Sequence, residues 1–351
     1  MPRVSIRALT ACFIALITAC SSAPSEIQMA SLPNAERHRP KLSRSVGWSN
    51  AYVISNPSKG NGYVAVYAGG TSHVLYQLQS GVTYSYSITF DPDGNAYVYN
   101  YVTNCIIVFA AAKKKRLYTI NGGSQYMGTP ALDSAGNLYV PLFRNNRILV
   151  YASGTKKIIR RITADLYEPQ SMAFDSHGNL YVLNTENATI VEFAAGTSSP
   201  IRTFATGSTA SVHIAVDGSD NLYVVDAGEG SNPGGIAVFA PNASLPEETI
   251  TDGASYPQGI AFDSAGDLFV LNSSSVSEYA PGTTSPYLTV TKGISEASAM
   301  AIDGANNLYV TNTTKGYFGV GSFTVYAPGS DKVLRSVSRD VNDPTAIAIG
   351  P

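Results

Sequence analysis

From about residue 50 to the C-terminus the chain is built of short runs in which apolar and polar positions alternate, with no helical spacing between them. Six of these runs share one form. An alternating segment leads into Asp, two free positions, then Gly, Asn or Asp, then Asn or Asp, and a second apolar run containing Tyr or Phe followed by Val. The Asp falls at 91, 133, 175, 217, 263 and 303, at spacings of 42, 42, 42, 46 and 40. A period of that length filled with short β patterns marks a stacked or radial array of small sheets.

Within residues 169–208 the alternation predicts four strands, a to d, joined by short turns. The a–b turn accounts for its own residues. Asp at the first position bonds the backbone two residues on, and the fourth position must enter the left-handed region. That position holds Gly94, Gly136, Gly178 and Gly266, and otherwise Asp220 and Asn306, non-glycine types that tolerate positive φ. Small residues recur two before each Asp (Thr89, Ala131, Ala173, Ala215, Ala261, Ala301, with Ala348 matching at the C-terminus), so the innermost strands can crowd around an axis. The segment 346–350 is a strand a with nothing after it, and 50–53 is a strand b with no a before it. Joined, they make a seventh unit. The expected fold is all-β: a seven-bladed β-propeller of four-stranded blades, closed by pairing of the N- and C-terminal strands.

Composition adds limits. Charged residues are 14% and the net charge is −2, so nothing in the bulk invites nucleic acid. The run Lys113-Lys114-Lys115-Arg116 is placed in a solvated c–d turn. Arg3 and Arg7 precede an apolar stretch, 8–17, too short to span a bilayer, which ends in Leu16-Ile17-Thr18-Ala19-Cys20. That ending resembles the lipobox of bacterial lipoproteins. The resemblance implies a signal peptide at 1–19, a diacylglycerol anchor on Cys20, a Ser/Pro-rich tether over 20–44, and a propeller over 45–351. Ser21 and Ser22, where an Asp often retains such proteins at the inner membrane, imply sorting to the outer membrane. Cys105, the thiol left after Cys12 and Cys20, is read as a buried strand residue.

The pattern Asp-x-x-Gly-Asn-Leu-Tyr-Val, followed by Asn and by a Val-Tyr-Ala-Pro-Gly strand end, resembles the NHL-type propellers of bacterial envelope proteins. The broader group includes gluconolactonase-like, strictosidine-synthase-like and streptogramin-lyase-like propellers. The resemblance covers about residues 45–351 and says little of chemistry, since the scaffold hosts many activities. It implies either a non-catalytic binding or scaffold module or, as the alternative, a small-molecule hydrolase or lyase.

Candidate site residues lie on the face that carries the b–c and d–a loops. The b–c segments 55–62, 226–235 and 313–321 are long, in blades seven, four and six, and form a raised arc suited to a protein or glycan ligand. Strand b ends in Ser55, Asn100, Leu142, Asn184, Asp226, Asn272 or Asn312. The amides form a ring able to bind a polar ligand or, with Asp226, a cation; alternatively each caps its own b–c turn. On the arc, Tyr317 and Phe318 either stand across from Asp226 and Glu229 as a contact patch or fold back onto the blade edge as a local cover. His213, four before its Asp where the other blades have Ser87, Thr129, Ser171, Gly259, Ala299 or Ala346, and Asp226 of the same blade are the one acid–base pair the sequence offers. No cofactor is expected; the alternative is a divalent cation such as calcium at the central channel. A calcium loop at Asp91-Pro92-Asp93-Gly94-Asn95 lacks its remaining ligands.

Overall fold

A computed structural model of the chain describes residues 49–57, 61–122, 127–313 and 320–351. They form seven four-stranded antiparallel sheets, the blades of an all-β propeller. Blade one runs from Ser85–Phe90 to Arg116–Asn121, blade two from Ala131–Leu132 to Ile158–Ile162, and blade three from Pro169–Phe174 to Pro200–Ala205. Blades four, five and six begin with Ser211–Val216, Gly259–Phe262 and Ala297–Ile302. Blade seven is composite: Pro344–Gly350 is its inner strand, and Asn50–Ser55, Tyr63–Tyr67 and Val74–Leu78 follow outward. The closing register pairs Tyr52 with Ala348 and Ile54 with Ala346, and the Tyr52 hydroxyl donates to the Pro351 carbonyl at 2.8 Å.

Alternation along strand a explains how the blades mesh. The small residues of one blade meet the large residues of the next: Ala346 and Ala348 pack on Ile88, and Ala299 and Ala301 on Ile347 and Ile349. Close approach also lets polar groups cross between blades, as where the Ile214 N–H donates to Ser171 Oγ at 3.3 Å. Each buried aliphatic side chain in these seams contributes about 1.5–3 kcal/mol of burial.

The repeated Asp is the keystone of each a–b turn. In blade one the Asn95 N–H donates to Asp91 Oδ1 and the Asn95 amide to Oδ2, both at 2.8 Å, and the Tyr97 hydroxyl reaches Oδ2 at 3.2 Å. With those donors in place the carboxylate holds the turn; it has no need of calcium to satisfy it. The fourth turn position is left-handed throughout, with φ from 78° to 88° at the four glycines, 65° at Asp220 and 60° at Asn306. The two non-glycine residues tie neighbouring turns together. Asp220 accepts from the Ser176 N–H and hydroxyl, and Asn306 from the Ser264 hydroxyl.

Blade five departs from this pattern at three linked positions. Asp267 replaces the Asn that elsewhere donates to the turn Asp, and Phe269 replaces the strand-b Tyr. Glu278 stands on strand c, where five blades have Val66, Val108, Val150, Val238 or Val325. Glu278 is 1% exposed, and the Tyr287 hydroxyl is shared between Glu278 Oε2 at 3.2 Å and Asp267 Oδ2 at 2.9 Å. Burial pushes the Glu278 carboxyl up; the Tyr287 hydrogen bond opposes the shift and the Asp267 and Asp263 charges add to it, leaving it at about 7. Glu192, the other carboxylate at this register, is neutralised by Arg202 across the c–d pair.

Candidate functional site

Strand directions put the b–c and d–a loops on one face and the a–b and c–d turns on the other. On the loop face the strand-b asparagines are buried and engaged. Asn184 Oδ1 accepts the Tyr167 N–H at 3.0 Å, and its amide donates to the Asp165 carbonyl at 2.8 Å. Asn100 holds Thr83 N–H and Gly81 O, and Asn272 holds Ser255 N–H and Gly253 O, in the same way. Asn312 Oδ1 takes the Ser295 N–H at 3.0 Å. Each side chain therefore latches the d–a loop that delivers its own blade's inner strand, 17 to 19 residues upstream. This differs from a cap on the b–c turn that follows. Satisfying two buried backbone groups is the physical reason for the amide, which has one acceptor and two donors to give.

Blades that lack the Asn find substitutes. Ser55 Oγ donates to Asp340 O and accepts the Asn342 N–H, both at 3.3 Å. After Leu142, Asn146 Oδ1 instead takes the Glu168 N–H, on the d–a loop of the next blade, at 2.8 Å. In blade four the d–a loop is held through Thr206, whose hydroxyl donates to the Ser208 carbonyl within the loop and to the Ala188 carbonyl of blade three's b–c loop. That releases Asp226 to cap its own loop, accepting the Gly228 N–H at 2.9 Å.

The loop 226–235 folds as a small hairpin in which Glu229 and Asn232 exchange backbone bonds at 3.0 Å. It leans on the next blade's d–a loop, where the Tyr256 hydroxyl donates to the Gly230 carbonyl. His213 and Asp226 are not brought together. His213 pairs with Val225 and Asp226 with Ser211, so the two side chains leave opposite faces of the sheet, and His213 faces the seam with blade five. Tyr317 and Phe318 lie outside the described residues, as does Cys20. Among the described residues no three His, Cys, Asp or Glu side chains gather where they could hold a metal ion, and no helix is long and apolar enough to cross a membrane.

A feature of this face escaped the sequence reading. Strand a is bulged at its loop end in blades one, three, four, six and seven, with Tyr86, Gln170, Val212, Ser298 and Thr345 as the extra residues. A bulge takes a side chain out of the strict alternation that fills the seams. In blade one the extra residue joins an aromatic cluster: Tyr86 meets Tyr84 and Tyr101 edge to face, at 5.5 and 5.1 Å between ring centres. Tyr84 donates to Asp343 Oδ2 of the adjoining loop at 3.3 Å. The rings are half-buried and stand beside the inner strands. The sequence signal was Tyr84-Ser85-Tyr86 with Tyr101, three aromatics on the loop ends of one blade. Compared with known proteins, the chain matches none of the protein-family models and none of the curated sequences.

Proposed function

We propose that this protein is a non-catalytic binding module of the bacterial envelope, anchored through lipid on Cys20 at the outer membrane and presenting its loop face to a protein or glycan. The observation that carries the reading is the division of polar and aromatic groups between the two faces. On the turn face the recurring carboxylates are consumed by their own turns, whereas the loop face keeps the Tyr84–Tyr86–Tyr101 cluster and the Asp226–Gly235 hairpin in reach of solvent. Aromatic anchors among polar groups are the usual makings of an interface core. The resemblance of the repeat to NHL-type envelope propellers supports the same reading. The hydrolase or lyase alternative gains nothing from His213 and Asp226, which leave opposite faces of one sheet.

Two measurements test the proposal. A photo-crosslinking residue at Tyr256 on the loop face is expected to capture a partner in cells, and the same residue at Ser176 on the turn face is not. Capture from Ser176 alone sinks the assignment of the face. For the anchor, Cys20→Ser is expected to move the protein out of the membrane fraction. A wild type found wholly soluble and without incorporated palmitate rejects lipidation.

A further inference from the structure

Seven residues before the turn Asp, on the d–a loops, one position recurs around the propeller mouth: Tyr84, Glu168, Ala210, Tyr256 and Glu296, with Asp343 in the closing blade. Four of them, Glu168, Tyr256, Glu296 and Asp343, hold φ between 42° and 51°, although none is Gly or Asn. Among the described residues the row is thus acidic and aromatic, with no cation in it. Glu296 is exposed, and Tyr256 and Tyr167, the residue before Glu168, are 45% and 44% exposed.

The surroundings share the sign. The d–a and b–c segments of the sequence, with Asp226, hold nine acidic residues against five basic ones, whereas the c–d turns hold six lysines against Glu247 and Asp331. Two of the row's carboxyls are held above the ordinary carboxylate range. Burial and then the Glu186 charge push Glu168 up, against a smaller pull from Arg144. Burial pushes Asp343 up, opposed by the Tyr84 hydrogen bond.

Resting on the reading of the loop face as a binding face, we infer that its partner is a basic polypeptide segment, whose Lys or Arg side chains pair with Glu168, Glu296 and Asp343 and rest against the mouth tyrosines. Geometry selects a polypeptide over a small amine. The three acids belong to blades three, six and seven, and blades three and six stand nearly across a seven-fold ring, so one compact cation cannot meet them all. A chain carrying several cations spans the mouth. Guanidinium or ammonium over a tyrosine face adds about 0.5–1 kcal/mol at exposed sites, and the acid field accelerates encounter at low salt.

The test uses the full chain and a fluorescein-labelled peptide of four arginines spaced by Gly-Ser, read by anisotropy at several salt concentrations. Binding is expected, weakening steeply as salt rises. The triple variant Glu168→Gln/Glu296→Gln/Asp343→Asn is expected to raise Kd at least ten-fold, and Tyr167→Ala/Tyr256→Ala several-fold. Asn accepts the left-handed backbone at 343, so the fold is kept, which a thermal melt of each variant checks. A control with the same charge change on the turn face, Asp93→Asn/Glu247→Gln/Asp331→Asn, is expected to bind as wild type does. Equal loss in both triple variants, or no binding by wild type, overturns the inference. If the peptide fails while crosslinking at Tyr256 still captures a partner, the basic ligand is wrong and the binding face stands; capture from Ser176 alone removes both.

Discussion

Replacing Glu278 by Gln should change how the stability of the protein depends on pH, in the direction opposite to most carboxylates. The folded protein holds the Glu278 proton up to about pH 7, against an ordinary 4.5, so the native state binds more protons than the unfolded chain between those values. Stability therefore falls as pH rises through that window, by about 1.4 kcal/mol per unit, and is level on either side of it. Across the window the loss comes to about 3 kcal/mol, which needs no large discount for solvent because the side chain is 1% exposed. Unfolding entropies near 2.1 cal/mol/K per residue put this at about 5 °C in Tm for a domain of about 300 residues. Gln keeps the shape and the hydrogen bond to Tyr287 but cannot titrate. Melting curves of wild type and Glu278→Gln from pH 4 to 8.5 should diverge by that amount between pH 4.5 and 7 and run parallel outside it. Parallel curves throughout would refute the account of blade five. Stabilisation of wild type by millimolar calcium at pH 8, absent in Glu278→Gln, would mean the cluster takes a metal ion and not a proton.

Asn184→Ala leaves the Tyr167 N–H and the Asp165 carbonyl of a part-buried loop without their partner, at about 1 kcal/mol each; a urea midpoint within error of wild type would argue that Asn184 is no latch. Arg202→Ala leaves Glu192 buried with its charge uncompensated, an expected loss of about 3–5 kcal/mol that Glu192→Val in the same chain should largely restore. Ala348→Asp places a carboxylate in the seam against Ile88, where 1% of Ala348 is exposed, and should prevent closure of blade seven, seen as loss of a cooperative melt. An unchanged Tm there would contradict the composite blade.

The repeat made the scaffold readable because the same constraint is stated six times. A turn that needs a left-handed fourth residue shows it as Gly94, Gly136 or Asn306, and a crowded axis shows it as Ala215 or Ala348. The strand-b asparagines were visible as a row, but their partners were not. The chain returns to Asn184 from a loop 19 residues earlier, and only the sheet order puts strand b beside the entry to strand a. The mouth was hidden for a different reason. Its positions occur once per blade and carry Tyr, Glu, Ala or Asp, so no single residue type announces them, and the bulge that sets Tyr86 out of alternation leaves no mark in the local sequence.

Closure by Pro344–Gly350 has a consequence for how the protein is made. The strand Asn50–Ser55 is synthesised roughly 290 residues before the strand that covers it, which at about 5–20 residues per second leaves it bare for roughly 15–60 s. Its sequence, Ala51-Tyr52-Val53-Ile54, is apolar and rich in strand formers, and an uncovered edge of that kind templates intermolecular pairing. That edge of the nascent chain thus stays bare until Pro344–Gly350 is made. A chain without Pro344–Gly350 would keep six whole blades and expose one adhesive strand.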